Sequence, residues 1–476
     1  MNRAPARRVT VRRGRWAPAP SDSYKARKAL IRAEMNGWAT WWVRPSSLVL
    51  CFIIPFYILL YNFPNFPFFK LIVVGNIYFD KEAFWYGLFF LTALYLGCKL
   101  PIAPHRGTGQ IDRQSTDLLL DIVGTLSLIG YVYMFRLLII SPSVQMAALH
   151  NIMGGQFDLT DFIERGAAGI NSFAQIGIAY FAIFFYVLFQ KGRDQLRRRH
   201  IIMFCAIVGM ALMRSMFLAQ RLALIEITVP GVLFFVHYRA RRGGPIELFL
   251  MGVFPIISVG LMIGLFGLTE YFRSWADFFK TQDINFWHFI IARMLTYYYT
   301  ALNNGAILLK VSDWPTFDFF HTCNWLYRLP VISGFFEEMF SQKYFFYERY
   351  LDMYANIEFN NNSGIFPIIH ELGIAGGALF AFLIGVWLSY CFRCYVASAY
   401  YGALYYPMIY LTPVEILRIY YLGSSKIVVQ IALLWMVTLL VRQIIEFRRR
   451  RSVTVYRLNP DDAAGPLVAV REAGRQ

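Results

Sequence analysis

The sequence predicts an all-α polytopic membrane protein with about ten transmembrane helices and one large, partly helical outer loop. Of its 476 residues, 57% are hydrophobic and 16% are charged, whereas an ordinary soluble domain has about a quarter charged residues. Lys and Arg lie mostly in the two tails and in short segments between apolar runs. That distribution is typical of membrane topology, so the net charge of +17 does not indicate nucleic-acid binding.

The apolar runs are each long enough, at roughly 17 to 25 residues, to cross a bilayer as a helix. They lie near 46–62, 83–100, 117–140, 171–190, 200–218, 222–238, 246–268, 365–390, 400–419 and 425–442.

The basic N-terminal tail fixes the predicted orientation. If the segment containing RRVTVRRGR is cytoplasmic, the inside loops include KGRDQLRRR and RARRGG, which carry an excess of Lys and Arg. The opposite loops largely do not, so both termini are predicted to be cytoplasmic.

The predicted organisation has five parts, and the third is the unusual one. An outer loop of this length is commonly functional, and its many Phe, Tyr and Trp residues argue against disorder. The parts are a cytoplasmic tail (1–45), helices one to seven (46–268), the large outer loop (269–364), helices eight to ten (365–442) and a second basic cytoplasmic tail (443–476).

Ionisable residues within or beside membrane spans are costly, so each one is a candidate for function. Arg214 and Arg221 flank the tight outer turn between the fifth and sixth spans, and Arg293 lies in the large outer loop. Arg418 lies in the outer half of the ninth span, where its spacing from Glu415 also suits an ion pair that stabilises the helix. Similarly, Glu226 could simply neutralise Arg214.

The segment NNNSGIFPIIHELGIAGG, residues 360–377, places His370 and Glu371 near the outer end of the eighth span. The pair can therefore face the same region as the arginines. The following LGIAGG is predicted to permit close helix packing. A buried histidine satisfied by hydrogen bonds is the alternative interpretation of His370.

Outward-facing arginines with many aromatic residues suit a lipid-linked diphosphate sugar. Guanidinium groups bind phosphate oxygens bidentately, and aromatic rings stack on sugar faces. Glycosyl transfer from such a donor needs positive charge for the departing diphosphate and a base for the acceptor hydroxyl. His370 or Glu371 could be that base. The outer side has no metal-site cluster, so no cofactor is predicted and the arginines would replace a divalent ion.

Three stretches resemble the bacterial O-antigen polymerases and the related O-antigen ligases. They are AQRLALIEI in the tight turn, RMLTYYYTALNNG in the large outer loop, and the Asn-led NNNSGIFPIIHELGIAGG. The resemblance covers roughly residues 200–377. The ligases carry a His–Asn pair where this chain has Asn361 and Asn362, which favours a polymerase and leaves the base open.

The resemblance implies a metal-independent glycosyltransferase of the bacterial inner membrane. It would transfer a growing glycan from polyprenyl diphosphate to the next lipid-linked unit at the periplasmic face, surrounded by membrane lipid. A flippase and a chain-length regulator of the same pathway would be its partners. The implied catalytic residues are His370, Glu371, Arg221 and Arg293; those at the diphosphate are Arg221, Arg293, Arg214 and Arg418; those that bind substrate are Asn361, Asn362 and Tyr297.

Four alternatives stay open at the level of sequence. A flippase or transporter of lipid-linked sugar would be expected to show matching halves, and none is found. The chain could also be a ligase-type glycosyltransferase or a non-enzymatic scaffold of an export complex. A transferase for single-sugar polyprenyl phosphates would carry an acidic dyad in the first outer loop, where only Asp80 and Glu82 are found.

Overall fold

The computed structural model describes residues 37–66, 76–102, 113–146, 170–217, 222–240, 244–271, 275, 285–327, 333–355, 359–397 and 400–456. Helices dominate this part of the chain, and the one isolated β-bridge found there joins Ser363 to Ile419.

Twelve helices of ten or more residues lie in the described ranges. In chain order they are α1 (Pro45–Asn65), α2 (Lys81–Lys99), α3 (Arg113–Met134), α4 (Phe173–Lys191), α5 (Arg198–Phe217), α6 (Leu222–Ala240), α7 (Pro245–Glu270), α8 (Phe286–Val311), α9 (Ser333–Tyr354), α10 (Phe366–Val396), α11 (Tyr400–Ile409) and α12 (Ser425–Tyr456). Shorter helical pieces are Trp38–Val43, Arg136–Ile140, Arg193–Gln195, Asn324–Tyr327, Leu411–Val414 and Tyr421–Gly423.

Six helices among the described residues are long and apolar enough to cross a membrane: α1, α3, α4, α7, α10 and α12. This supports an all-α membrane protein. The four other predicted spans are also largely helical, and the count of ten crossings stays a prediction. α12 continues to Tyr456, so part of the predicted C-terminal tail extends the last helix.

α10 is divided by a break at Gly373. Its φ of 74° and ψ of 172° lie in a region that only glycine adopts readily. Because the break interrupts the ladder of main-chain bonds, the carbonyl groups just before it need other donors. The N–H groups of Thr316 and Phe317 donate to the carbonyl oxygens of His370 and Glu371, at 3.1 and 2.9 Å. The loop after α8 therefore caps the first part of α10.

The second part of α10 packs closely against α2 through two glycines. A Cβ atom on Gly97 would lie 2.1 Å from the carbonyl oxygen of Phe382, and one on Gly385 would lie 2.3 Å from that of Leu94. Only glycine permits this approach of two backbones. The prediction for LGIAGG is therefore wrong in its location, because Gly373 breaks the helix and the close packing lies a few turns later.

The ninth predicted span ends early. α11 and the short helix Leu411–Val414 are followed by non-helical chain through Tyr420. The predicted ion pair exists, with Nε of Arg418 3.0 Å from Oε2 of Glu415. It does not stabilise a helix, because both residues lie beyond the last helical turn.

The region 269–364 contains the 26-residue helix α8, which is mostly buried, and the 22-residue helix α9. The side chain of Asn285 caps α8 by accepting from the N–H of Trp287 at 2.9 Å, which satisfies one of the free donors of its first turn. α8 packs against α10, α7 and α1 and brings the large loop into contact with the helices.

Candidate functional site

Glu371 anchors the loop that follows α8. Its side chain is fully buried, and its two carboxylate oxygens accept the backbone N–H groups of His321 and Thr322, the latter at 2.9 Å. A buried carboxylate needs such donors, because burial without them is very costly. Glu371 thus fixes the position of His321, a residue 50 positions earlier in the chain.

His370 lies beside this anchor and is also buried. Its Nε2 atom lies 2.9 Å from Oγ of Ser312, the residue at the C-terminus of α8. Within the described residues, its Nδ1 atom has no hydrogen-bond partner. His370 and Glu371 both lie near the start of α10, the helix that corresponds to the eighth predicted span; that this end faces outward stays a prediction.

Two of the stretches identified in the sequence meet at the C-terminal half of α8. Nδ2 of Asn304 donates to the carbonyl oxygens of Phe359 and Asn361, the latter at 3.0 Å. A Cβ atom on Gly305 would lie 2.4 Å from the carbonyl oxygen of Asn362. The NNG of RMLTYYYTALNNG therefore holds the NNNSG segment against α8 by side-chain hydrogen bonds and close packing.

Asn303 holds a second segment in the same way. Its Oδ1 atom accepts from the N–H groups of Tyr78 and Phe79, at 2.7 and 2.9 Å, and its Nδ2 atom donates to the carbonyl oxygen of Asn76 at 3.1 Å. The two adjacent asparagines thus join the chain before α2 and the chain before α10 to one turn of α8.

On its other side, the NNNSG segment pairs with the chain after the ninth predicted span. The N–H of Ser363 donates to the carbonyl oxygen of Arg418 at 3.1 Å, and the N–H of Gly364 to that of Ile416 at 2.7 Å. Ser363 has a positive φ of 61°, and its Oγ atom accepts weakly from the first N–H groups of α10. This pairing brings Arg418 and the residues after it to the beginning of α10.

A cavity of about 220 Å³ lies where these segments converge. Its polar side chains come from the loop after α8, the NNNSG segment and the chain before α12. The lining residues are His321, Asn324, Asn362, Ser363, Pro367, Ile368, Ile419, Tyr420, Tyr421, Gly423 and Ser424. Among the predicted site residues that the structure describes, Asn362 is the one that lines this cavity.

Arg293 lies about three turns before Asn304 on α8. Its Nε atom is 3.7 Å from Oε2 of the buried Glu270, and its guanidinium carbon is 4.9 Å from the centre of the Phe359 ring. The same ring packs edge-to-face against Tyr297, with centroids 4.8 Å apart. Arg293 and Tyr297 therefore flank the NNNSG segment at its start.

Arg214 is connected to the cavity through Tyr131, Glu226 and Tyr421. Arg214 hydrogen-bonds the side chain of Tyr131, which also lies near Glu226. Glu226 accepts a hydrogen bond of 3.3 Å from the hydroxyl of Tyr421, which lines the cavity. The expectation that Glu226 lies near Arg214 is consistent with this arrangement.

Oε1 of Glu415, the partner of Arg418, lies 3.4 Å from the hydroxyl of Tyr298. The described arginines among the candidates thus each have a carboxylate in their surroundings. Arg221 lies outside the described residues, as does the turn that it flanks.

Sequence reasoning did not identify His321. Its Nδ1 atom lies 3.2 Å from Nδ2 of Asn362, and its ring contacts those of Phe320 and Tyr347 edge-on. Burial, assisted by the neighbouring His370, lowers the pKa of His321 to about 3, so the imidazole is neutral at pH 7. Within the large outer loop it stands alone in FFHTCNW, with no motif that could have singled it out.

Lys343 of α9 completes the charged surroundings of this site. It forms an ion pair with Asp318, and it acts electrostatically on both His370 and Glu371. Partial burial lowers the pKa of Lys343.

Asp80 and Glu82, at the start of α2, form ion pairs with Lys310. Nζ of Lys310 lies 3.0 Å from a carboxylate oxygen of Asp80 and 2.6 Å from one of Glu82, while Asp80 also caps α2. In the part of the chain that the structure describes, no group of three or more His, Cys, Asp and Glu residues is placed to hold a metal ion.

Comparisons with known proteins found no match, so any function must be inferred from the geometry of the site. No family model matches the chain, and no curated protein or solved structure shows significant similarity to it.

Proposed function

We propose that the protein polymerises lipid-linked oligosaccharide repeat units at the periplasmic face of a bacterial inner membrane. It transfers a growing glycan from polyprenyl diphosphate to the next lipid-linked unit, using ten membrane crossings and cytoplasmic termini. Membrane lipid surrounds it, and a flippase and a chain-length regulator of the same pathway act beside it.

One observation supports this proposal most directly: two of the three stretches that suggested a polymerase contact each other. Asn304 and Gly305 of α8 hold the NNNSG segment, which in turn pairs with the chain carrying Arg418. Residues far apart in the sequence thus meet beside one cavity with hydroxyl, amide and aromatic groups. Such a lining suits a sugar, because hydroxyl groups need several hydrogen-bond partners while ring faces pack on aromatic residues.

In this proposal the arginines stabilise the leaving diphosphate. Guanidinium groups form bidentate, charge-assisted bonds with phosphate oxygens, and charge placed where it develops in the transition state lowers the barrier. Arg221 and Arg293 are assigned this role, with Arg214 and Arg418 as further contacts. Because Arg293 and Arg418 each lie near a carboxylate, donor binding must compete with these ion pairs.

The test is a polymerisation reaction in liposomes with polyprenyl-diphosphate-linked oligosaccharide extracted from the host, scored as a ladder on a gel. The informative variant is Arg293→Lys. An alanine would leave the buried Glu270 without its partner and could unfold the protein, whereas lysine keeps the charge and loses the bidentate geometry. We expect the ladder to weaken at least tenfold in this variant.

Arg349→Ala is the matched control, because this arginine is exposed on α9 and should leave the ladder unchanged. Arg221→Ala and His370→Ala test the remaining assignments at matched expression. If wild-type protein yields no ladder and instead moves the lipid-linked substrate across the liposome membrane, the polymerase is wrong and a flippase takes its place.

A further inference from the structure

The size and lining of the cavity at the beginning of α10 indicate which part of a glycan it would bind. Its volume of about 220 Å³ lies below the roughly 300–1,000 Å³ of pockets that enclose drug-sized ligands, so it suits one sugar ring better than an oligosaccharide. Its walls combine the rings of Tyr420 and Tyr421 with the polar side chains of Asn324, Asn362 and Ser424. We therefore expect a glycan chain to place its terminal ring here.

His321 is held at this cavity by contacts on three sides. The backbone N–H groups of His321 and of the next residue donate to Glu371, and Nδ1 of the ring faces the amide of Asn362. The rings of Phe320 and Tyr347 pack against the imidazole. Groups fixed in advance in this way lose little freedom when a substrate binds.

The second ring nitrogen is available for chemistry. Within the described residues, Nε2 of His321 has no hydrogen-bond partner, and the ring lines the cavity. The assignment of the amide atoms of Asn362 can be reversed, so that its oxygen accepts from Nδ1–H. Nε2 then carries a lone pair, which is the form that accepts a proton.

We propose that this cavity binds the terminal sugar ring of the acceptor unit and that His321 accepts the proton of its attacking hydroxyl. The inference rests on the proposed polymerase function and specifies its acceptor subsite. The hydroxyl oxygen forms a new bond to the anomeric carbon of the donor glycan, and the bond from that carbon to the diphosphate oxygen breaks. The bonding pair leaves with the polyprenyl diphosphate, and the hydroxyl proton moves to Nε2 of His321.

The negative charge of the bound donor diphosphate is expected to assist proton transfer to His321. A neutral, half-buried histidine with a lowered pKa is a weak base by itself, but a nearby anion favours its protonated form. Arg418, assigned to the donor diphosphate, directly precedes Ile419 and Tyr420 of the cavity wall. The bound donor would therefore strengthen His321 as a base when the acceptor hydroxyl is in place. Glu371 and Asn362 act as positioning residues for this imidazole.

The experiment measures polymer formation and donor binding separately, with the host's lipid-linked oligosaccharide fraction in liposomes. His321→Gln keeps a hydrogen-bonding side chain toward Asn362 and removes the base. We expect its turnover to fall by about 100-fold or more, as for loss of a general base, while retention of radiolabelled donor stays within twofold. His288→Gln is the matched control, since His288 is an exposed histidine on α8.

A second variant keeps the test decisive if His321→Gln fails to fold. Ser424→Phe narrows the cavity and should raise the KM for the acceptor about tenfold with little change in kcat. If wild-type protein forms polymer and both variants keep wild-type kinetics, the acceptor subsite is wrong and the polymerase stands. If wild-type protein forms no polymer, the proposed function fails and the inference fails with it.

Discussion

The two parts of α10 are stabilised by different kinds of contact. Before Gly373, the carbonyl oxygens of His370 and Glu371 and the carboxylate of Glu371 accept hydrogen bonds from a loop some 50 residues away. After Gly373, the helix packs backbone to backbone on α2. The first arrangement positions a cavity and a histidine, and the second holds two apolar helices together. A single helix thus joins a structural interface to the candidate site.

The largest effect is expected in the packed part, from Gly385→Ala. In a helix interior this change ordinarily stabilises by about 1 kcal/mol. Here the added Cβ would lie 2.3 Å from a backbone oxygen of α2, which cannot rotate away. We expect the variant to lose about 3 kcal/mol or more, measured as loss of monodisperse protein on size exclusion and a lower melting temperature in detergent.

Gly264→Ala on α7 provides the comparison, because a Cβ atom added there would meet no atom of the described residues within 4 Å outside the backbone of its own helix. This control should be neutral or slightly stabilising. Equal melting temperatures for the two variants would show that α2 and α10 do not pack as closely as the structure indicates.

The apolar helices, including the part of α10 after Gly373, were far easier to predict from sequence than the polar contacts before Gly373. Long apolar runs define helices by themselves, so each of the ten predicted spans coincides largely with helical structure. The role of each glycine was harder to predict, since a glycine is equally compatible with a break in a helix and with close packing between helices. LGIAGG provides the break at Gly373, and the close contact is made by Gly385 and Gly97.

The polar part depends on contacts that no local pattern encodes. The sequence indicated His370, Glu371 and the NNNSG segment because polar residues at the edge of a span are unusual. His321 gave no such signal, because a single histidine in an outer loop, away from the membrane spans, carries no burial cost that calls for an explanation. Its position follows from Glu371 accepting two backbone N–H groups, which is a tertiary contact.

An intermediate effect is expected at that contact, from Glu371→Gln. The amide has one acceptor oxygen in place of two, so one of the N–H groups of His321 and Thr322 loses its partner in a buried site. The cost of such an unsatisfied donor is about 1–3 kcal/mol. We expect a melting temperature several degrees lower and a strong loss of polymer formation, since His321 is displaced.

Glu446→Gln on α12 is the matched control, because Glu446 is exposed and pairs with Arg442 one turn earlier. Glu446→Gln should change neither the melting temperature nor polymer formation. A Glu371→Gln variant with wild-type stability would mean that the carboxylate does not hold the loop.

The third expected effect is a dependence of stability on pH, which arises at His321 and leaves the packing of α10 on α2 unaffected. The folded-state pKa of His321 is lowered to about 3, whereas an unfolded histidine titrates near 6.5. Above pH 6.5 both states are neutral at this residue and the stability is complete. As the pH falls below 6.5, the unfolded chain binds a proton that the folded protein does not, so stability is lost progressively down to about pH 3.

The loss should be on the order of 1 kcal/mol per pH unit, followed as the melting temperature between pH 7 and pH 5. Among the described residues, the charged or titratable groups near this histidine include His370 and Glu371 on α10 and Lys343 and Tyr347 on α9. They are unchanged in a His321→Asn variant. That variant should therefore show a smaller dependence on pH than the wild type, whereas Gly385→Ala should be less stable with the dependence intact. If His321→Asn and the wild type respond equally to pH, the imidazole is not held neutral by burial, because its protonation then costs the folded state nothing.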